Sequence, residues 1–170
     1  MRIRNGGPDD AAAVLEMFDA AVRRLVAAGR AAQWGTEPFS AVPARVAQVA
    51  GFAASGGMRI AEVAGRPAGC LVVGDAMPYV PPAGEPELYV RVLLTSGAYT
   101  GRGVGAALLR RARQEAVAGG KSLLRVDCWA GGDGRLVRYY QEQGFTPAQA
   151  FTVGDWPGRV LEMRLPGPAD

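Results

Sequence analysis

The 170-residue sequence contains no histidine. That absence removes Ser-His and Cys-His nucleophile pairs, an imidazole general base, zincin motifs and most transition-metal sites. Acid–base chemistry is left to Asp, Glu, Tyr, Cys or water. Cysteine is scarce: Cys70 and Cys128 are far apart and form no CxxC pair, so neither a disulfide framework nor a zinc knuckle is indicated. Lysine occurs once, at Lys121, and the Gly120-Lys121-Ser122 around it has Glu115 where G-x-x-x-x-G-K-S/T needs its first glycine, which excludes a Walker A loop. No run approaches the roughly 18 apolar residues of a membrane span. Met1-Arg2-Ile3-Arg4-Asn5 lacks the apolar stretch of a signal peptide. The expectation is a soluble, cytoplasmic protein without membrane or metal partners.

What is present is a chain 49% hydrophobic and 21% charged, enough for a single domain over 1–170 with its own core. Lys+Arg number 19 against 16 Asp+Glu, and with one lysine the positive charge is almost entirely arginine, which suits phosphate. A net charge of +3 is too weak to argue for nucleic acid but fits an anionic small ligand.

Periodicity orders the elements. Asp9-Asp10 cap a helix with Val14, Met17, Phe18, Ala21, Val22 and Leu25 on one face, closed by Gly29; Pro43 starts a second, weaker helix to Ala54. Residues 58–63 and 68–73 flank Ala64-Gly65-Arg66-Pro67 as an antiparallel hairpin. After the proline-rich loop Asp75 to Pro86, residues 87–95 have the composition of a central strand. A helix from Gly101 to Gly119 follows, with Val104, Ala107, Leu108, Ala112 and Ala116 on one face, then a strand at 122–128 and a helix from Gly134 to Gln143. Strands at 147–154 and 159–165, turned by Asp155-Trp156-Pro157-Gly158, finish the chain.

Gly101-Arg102-Gly103-Val104-Gly105-Ala106 matches the dinucleotide fingerprint G-x-G-x-x-G/A, with Asp127 downstream at a plausible distance for a ribose contact. The context argues against that reading. A Rossmann fingerprint sits in the first βα turn and needs further βα units, whereas here a short helix and a hairpin follow. The physical content survives: glycines let backbone approach a ligand closely, and free N–H groups at a helix start bind phosphate.

Thr100-Gly101-Arg102-Gly103-Val104-Gly105 resembles the acetyl-CoA signature Q/R-x-x-G-x-G/A of the GNAT superfamily, the Gcn5-related N-acetyltransferases. Tyr140-Gln141-Glu142-Gln143-Gly144-Phe145 is similar to that family's second signature, a tyrosine ahead of Gly-Phe. Thr100 stands where Gln or Arg is usual, and Asp133 where Asn is frequent. The resemblance implies an α/β GNAT fold, with a mixed, mostly antiparallel central sheet of about six or seven strands flanked by about four helices. It implies acetyl-CoA as co-substrate, no metal, and direct ternary-complex transfer to a primary amine of a small molecule or peptide, with a homodimer left open. Thioester aminolysis needs a neutral amine near the carbonyl and groups that accept charge on oxygen and sulfur, which a histidine-free protein can supply.

In that frame the backbone of Leu93, Leu94 and Thr95 pairs with the pantetheine arm, the Leu94 N–H faces the thioester oxygen, and Thr100 through Ala106 hold the pyrophosphate. Arg102, and Arg135 or Arg138, stand near the adenosine end, and Asp133 near the pantetheine. Tyr140, a phenol protonated at neutral pH, is the candidate general acid for the leaving thiolate. Glu87, sharing a strand face with Tyr89, is the candidate base. Trp34, Glu37, Tyr79 and Glu85, aromatic surfaces beside carboxylates, are the candidate site for a cationic acceptor. Cys128 reads as a buried hydrophobe, with an acetyl-cysteine route as the minor alternative. The rival readings are a GNAT-like module that binds an acyl-CoA without turnover, and a nucleotide-dependent oxidoreductase.

Overall fold

In the computed structural model, which describes residues 1–167, the stretch after Asp9-Asp10 forms helix α1 (Ala11–Ala27) and the one after Pro43 forms α2 (Pro43–Ala54). Strands β1 (Arg2–Asn5), β2 (Met58–Val63), β3 (Arg66–Gly74) and β4 (Glu87–Thr95) are followed by α3 (Val104–Ala118), β5 (Leu123–Trp129), α4 (Arg135–Glu142), β6 (Thr146–Val153) and β7 (Trp156–Arg164). The strands form one seven-stranded sheet in the order β1-β2-β3-β4-β5-β7-β6, mostly antiparallel, with β4 and β5 parallel. The expected α/β class, a mixed sheet with four helices, is the one observed. The chain, read from sequence as one domain, divides into two compact units, Met1–Val72 with Val92–Leu108, and Val73–Arg91 with the chain from Leu109 on.

The first unit is built on the helix faces the periodicity marks. Val14, Met17, Phe18 and Ala21 of α1 and Val49, Phe52 and Ala53 of α2 pack with Met58, Ile60, Cys70, Val72 and Leu94 of the strands. Each large apolar side chain so buried contributes about 1.5–3 kcal/mol. Arg4 on β1 donates two hydrogen bonds to Asp10 (2.7 and 3.0 Å) and one to Glu62 (2.7 Å), fixing the edge strand to the start of α1. The β2–β3 turn is tighter than the sequence suggests. Ala64 and Gly65 alone make it, both at positive φ, and Pro67 lies within β3 opposite Glu62, where a register shift removes the need for its missing N–H.

In the second unit β4 pairs with β5 from Glu87↔Leu123 to Val90↔Val126, and β7 continues along β5 from Leu123↔Arg164 to Trp129↔Gly158. The β6–β7 turn is also displaced from its expected place. Gly154 and Asp155 form it, and Trp156, Pro157 and Gly158 belong to β7, because Pro157 pairs with Thr152 on one side while Gly158 leaves room for the Phe151 ring. Alternation puts Glu87, Tyr89 and Arg91 of β4, Arg125 and Asp127 of β5, and Val160 of β7 on one face, on which Val80, Tyr89 and Val160 form a small core with Met77 and Phe151 against it.

Candidate functional site

The glycine turn lies in the first unit. Gly101 and Gly103 have φ of 76° and 73°, the left-handed region that disfavours any side chain, and a Cβ built at either would meet nothing within 4 Å. The turn is therefore shaped by conformation and left open by packing. The first α-helical bond of α3 runs from the Ala107 N–H to the Gly103 carbonyl, so the amides of Gly103, Val104, Gly105 and Ala106 find no carbonyl among the described residues. Such a set of N–H groups, reinforced by the helix dipole, suits a pyrophosphate. Gly69 of β3 seats the helix: a Cβ there would come within 2.7 Å of Val104 Cγ1 and 2.8 Å of the Leu94 carbonyl. Arg102 is exposed, its guanidinium 5.8 Å from the Tyr99 ring centre, and Thr100 is exposed beside it. Leu93 and Thr95 are half-buried and Leu94 is buried; the Thr95 carbonyl accepts from Arg24 at 3.1 Å.

Tyr140 lies in the second unit, on α4, buried edge-on between Tyr139 (5.2 Å) and Phe145 (5.8 Å). Burial, with added repulsion from Cys128, Tyr139 and Asp127, raises its pKa well above that of a free phenol, so it carries its proton throughout the neutral range. Among the described residues its hydroxyl has no hydrogen-bond partner. The Cys128 thiol is pushed up to about 12, chiefly by burial, which makes it a poor nucleophile. Asp133 caps α4 through the Arg135 N–H at 3.0 Å, and the Arg138 guanidinium donates to its carbonyl.

Glu87 occupies a different position from that of a free base. Both carboxylate oxygens accept from Arg125, at 2.5 and 3.0 Å, and Arg125 is 1% exposed and also donates to the Pro81 carbonyl at 3.0 Å. The Glu87 carboxylate is thus the counter-charge of a buried guanidinium, a structural tie whose removal would strand that charge. Glu85 is similarly engaged, accepting from Ser122 Oγ at 2.7 Å and Arg164 at 2.5 Å, contacts that lower its pKa. It sits where β5 begins. Five residues separate Ser122 from Asp127, about 16 Å at ~3.3 Å per strand residue, so Glu85 and Tyr140's surroundings lie at opposite ends of β5.

Asp127, met in the sequence only as a ribose contact in the rejected dinucleotide reading, is held differently from Glu85 and Glu87. It accepts from the Tyr89 hydroxyl at 2.5 Å, and that hydroxyl is its sole hydrogen-bond partner among the described residues. Burial raises the Asp127 pKa, against the lowering effects of the Tyr89 bond and of Arg125. Tyr79, whose own pKa is pushed up to about 12 by burial and by Asp127, stacks on Phe151 at 5.7 Å and is partly exposed. In the sequence Asp127 is marked by its distance from the glycine fingerprint, and its i+2 relation to Arg125 on the same strand face is a further signal.

Trp34 and Glu37 lie in the first unit. Trp34 packs on Phe18 (5.6 Å) and Phe39 (5.8 Å) and is half-buried against the core of α1 and α2. Glu37 is exposed, and its carbonyl accepts from Arg45 at 3.3 Å. The aromatic packing gives Trp34 a structural role whatever else it contacts.

The pattern of the Acetyltransferase (GNAT) family matches residues 19–145, which is most of the chain, and the protein belongs to that family. Solved structures agree on the fold. The yncA protein of Salmonella typhimurium, solved with its cofactor acetyl-CoA, is 23% identical with a TM-score of 0.68, over 100% of this chain and 96% of that one. The N-acetyltransferase of Staphylococcus aureus Mu50 is 20% identical with a TM-score of 0.70, over 97% and 98% of the two chains. The ribosomal-protein-alanine N-acetyltransferase of Brucella melitensis is 20% identical with a TM-score of 0.65, over 97% and 100%. No curated protein matches the sequence significantly.

Proposed function

We propose that the protein transfers the acetyl group of acetyl-CoA to a primary amine of a small molecule or peptide, by direct attack within a ternary complex. The observation that carries this reading is the open turn from Thr100 to Ala106, whose unpartnered amides at the start of α3 suit the CoA pyrophosphate. Leu93, Leu94 and Thr95 offer backbone groups to the pantetheine, and the Leu94 N–H serves as donor to the thioester oxygen as charge builds there. Arg102 supplies a cation beside the phosphates, the role that Thr100 cannot fill.

The attacking amine, once neutral, forms the C–N bond with the thioester carbonyl. Collapse breaks the C–S bond and sends its electron pair to sulfur. The Tyr140 phenol gives that sulfur its proton and regains one from the nitrogen through solvent, leaving an amide and free CoA thiol. A raised phenol pKa keeps Tyr140 in its donating form.

Thermal shift provides the first test. A ligand at a hundredfold excess over Kd stabilises by about 2.7 kcal/mol, so acetyl-CoA should raise Tm by several degrees and NAD should not. Release of CoA thiol with a panel of primary amines then separates an enzyme from a module that binds acyl-CoA without turnover. Replacing Gly103 by valine should abolish the acetyl-CoA shift, because a β-branched residue at φ 73° distorts the turn that presents the amides. An unaltered shift in that variant would remove the turn from the site.

A further inference from the structure

We infer that Asp127 is the carboxylate that receives the acceptor's ammonium group and takes its proton, so that the acceptor is an organic cation seated against Tyr79 and Phe151. The inference rests on the acetyltransferase reading and assigns the base and the acceptor class that it leaves open.

The argument begins with how one oxygen of Asp127 is held while the other is not. Oδ2 accepts from the Tyr89 hydroxyl at 2.5 Å, and Tyr89 is itself fully buried, so the carboxylate is fixed in direction. Oδ1 has no partner among the described residues, and Asp127 is partly exposed. No guanidinium lies within ion-pair distance of Asp127 among the described residues. Arg125, its neighbour on the same face, is committed to Glu87 and the Pro81 carbonyl. An anion partly withdrawn from water, anchored on one side and without a cation, is costly unless it is protonated or paired. The free side therefore calls for a ligand that carries positive charge and donates hydrogen bonds.

The surroundings fix the class of that ligand. Tyr79 and Phe151 are stacked at 5.7 Å, and Phe151 approaches Trp156 at 6.2 Å, giving the same sheet face an aromatic wall. Aromatic faces beside a carboxylate favour an ammonium on an apolar or aromatic body over a strongly hydrated polyanion or a sugar. Asp127 and Cys128 are consecutive on β5, so their side chains leave on opposite faces of the sheet. Cys128 and Asp127 both act electrostatically on the Tyr140 phenol, so the proposed proton donor and proton acceptor lie in one neighbourhood. The step balances: R-NH3+ and the Asp127 carboxylate become R-NH2 and the carboxylic acid, and that proton passes to solvent after transfer.

Groups on both faces of the sheet surround Asp127, and those that act on it directly are Tyr89 and Arg125. Tyr89 of β4 and Tyr79 of the 75–86 loop stay neutral; Arg125 of β5 opposes protonation; Cys128 and Tyr140 remain protonated through neutral pH; Arg91 of β4 and Arg159 of β7 lie on the neighbouring strands. With burial dominant, the carboxylate forms above the usual range, and activity should rise with pH through that point.

The decisive experiment uses the intact protein with 13C-labelled aspartate, following the Asp127 carboxyl resonance as phenethylammonium or its neutral isostere phenethyl alcohol is added. The ammonium should shift the resonance and lower its titration midpoint, and the alcohol should do neither. Asp127→Asn, which keeps an acceptor for the Tyr89 hydroxyl, should leave the acetyl-CoA thermal shift intact, lower kcat/KM for any amine turned over by about 100-fold or more and remove the acidic limb of the pH profile. Tyr89→Phe, which frees Oδ2 without removing charge, should retain the ammonium response with a smaller loss of rate. An Asp127 resonance indifferent to the ammonium, or an Asp127→Asn enzyme with unchanged kcat/KM, overturns the inference. Failure to bind acetyl-CoA would overturn the transferase reading instead, and the ammonium titration, made without acetyl-CoA, is independent of it.

Discussion

The two ends of β5 hold acidic residues in opposite conditions. At its beginning, Glu85 and Glu87 are each answered by an arginine, and the half of the pair that is buried, Arg125, has its donors taken by Glu87 and the Pro81 carbonyl. At its far end, Asp127 is withdrawn from water, held by one tyrosine hydroxyl and answered by no cation among the described residues. The first arrangement is complete and resists change. The second is incomplete, and the role proposed for Asp127 rests on that difference.

The largest effect should come from breaking the complete end. Glu87→Ala leaves Arg125 buried without its counter-charge, a loss of about 3–5 kcal/mol and a fall in Tm on the order of 10 °C, measured by calorimetry. Were the melting temperature to hold while turnover vanished, Glu87 would return as the base. Next is Tyr140→Phe, expected to lower kcat by roughly 10- to 1000-fold with acetyl-CoA affinity preserved, since a general acid acts mainly at the transition state. Loss of affinity in parallel would mark Tyr140 as packing alone.

Smaller, and opposite in sign to Glu87, is the stability effect of Asp127→Asn. A carboxyl whose folded pKa is raised stabilises the fold while it is protonated, below its unfolded pKa, and that contribution is lost as pH rises through the folded pKa. At pH 8 the neutral amide should therefore match or exceed the wild-type Tm, by a few degrees at most. A clear drop would show that the carboxylate is structural, as at the other end of the strand. The smallest effect belongs to Glu85→Ala, whose partner Arg164 is exposed; no change in Tm beyond measurement scatter is expected.

Much of the fold could be read because its signals are local. Pro43 starts α2, the apolar face of α3 carries Val104, Leu108 and Ala112 into the interior, and β4 runs over the expected residues. The glycine turn was legible for the same reason, as positive φ at Gly101 and Gly103 is a demand made by the backbone itself. Proline and glycine misled where they lie inside strands: Pro67 at a bulge, and Pro157 and Gly158 beside β6, in places where the missing N–H or Cβ is what the neighbour needs. The ion pair of Glu87 with Arg125 was beyond sequence reading because its partner is 38 residues away and reaches it only through the parallel register of β4 on β5. The state of Asp127 was hidden likewise, since desolvation and a missing counter-ion are properties of surroundings that no single segment encodes.

The two-residue repeat of a strand lets Asp127 and Cys128 be neighbours in the gene and yet project to different faces of the sheet. If the acceptor is received as proposed, residues on the Asp127 side can be changed while those on the Cys128 side stay as they are. A mutational library restricted to Tyr79, Val80 and Phe151 would therefore be expected to diversify the amines accepted while sparing acetyl-CoA use, a modularity that rests on nothing more elaborate than the pleat.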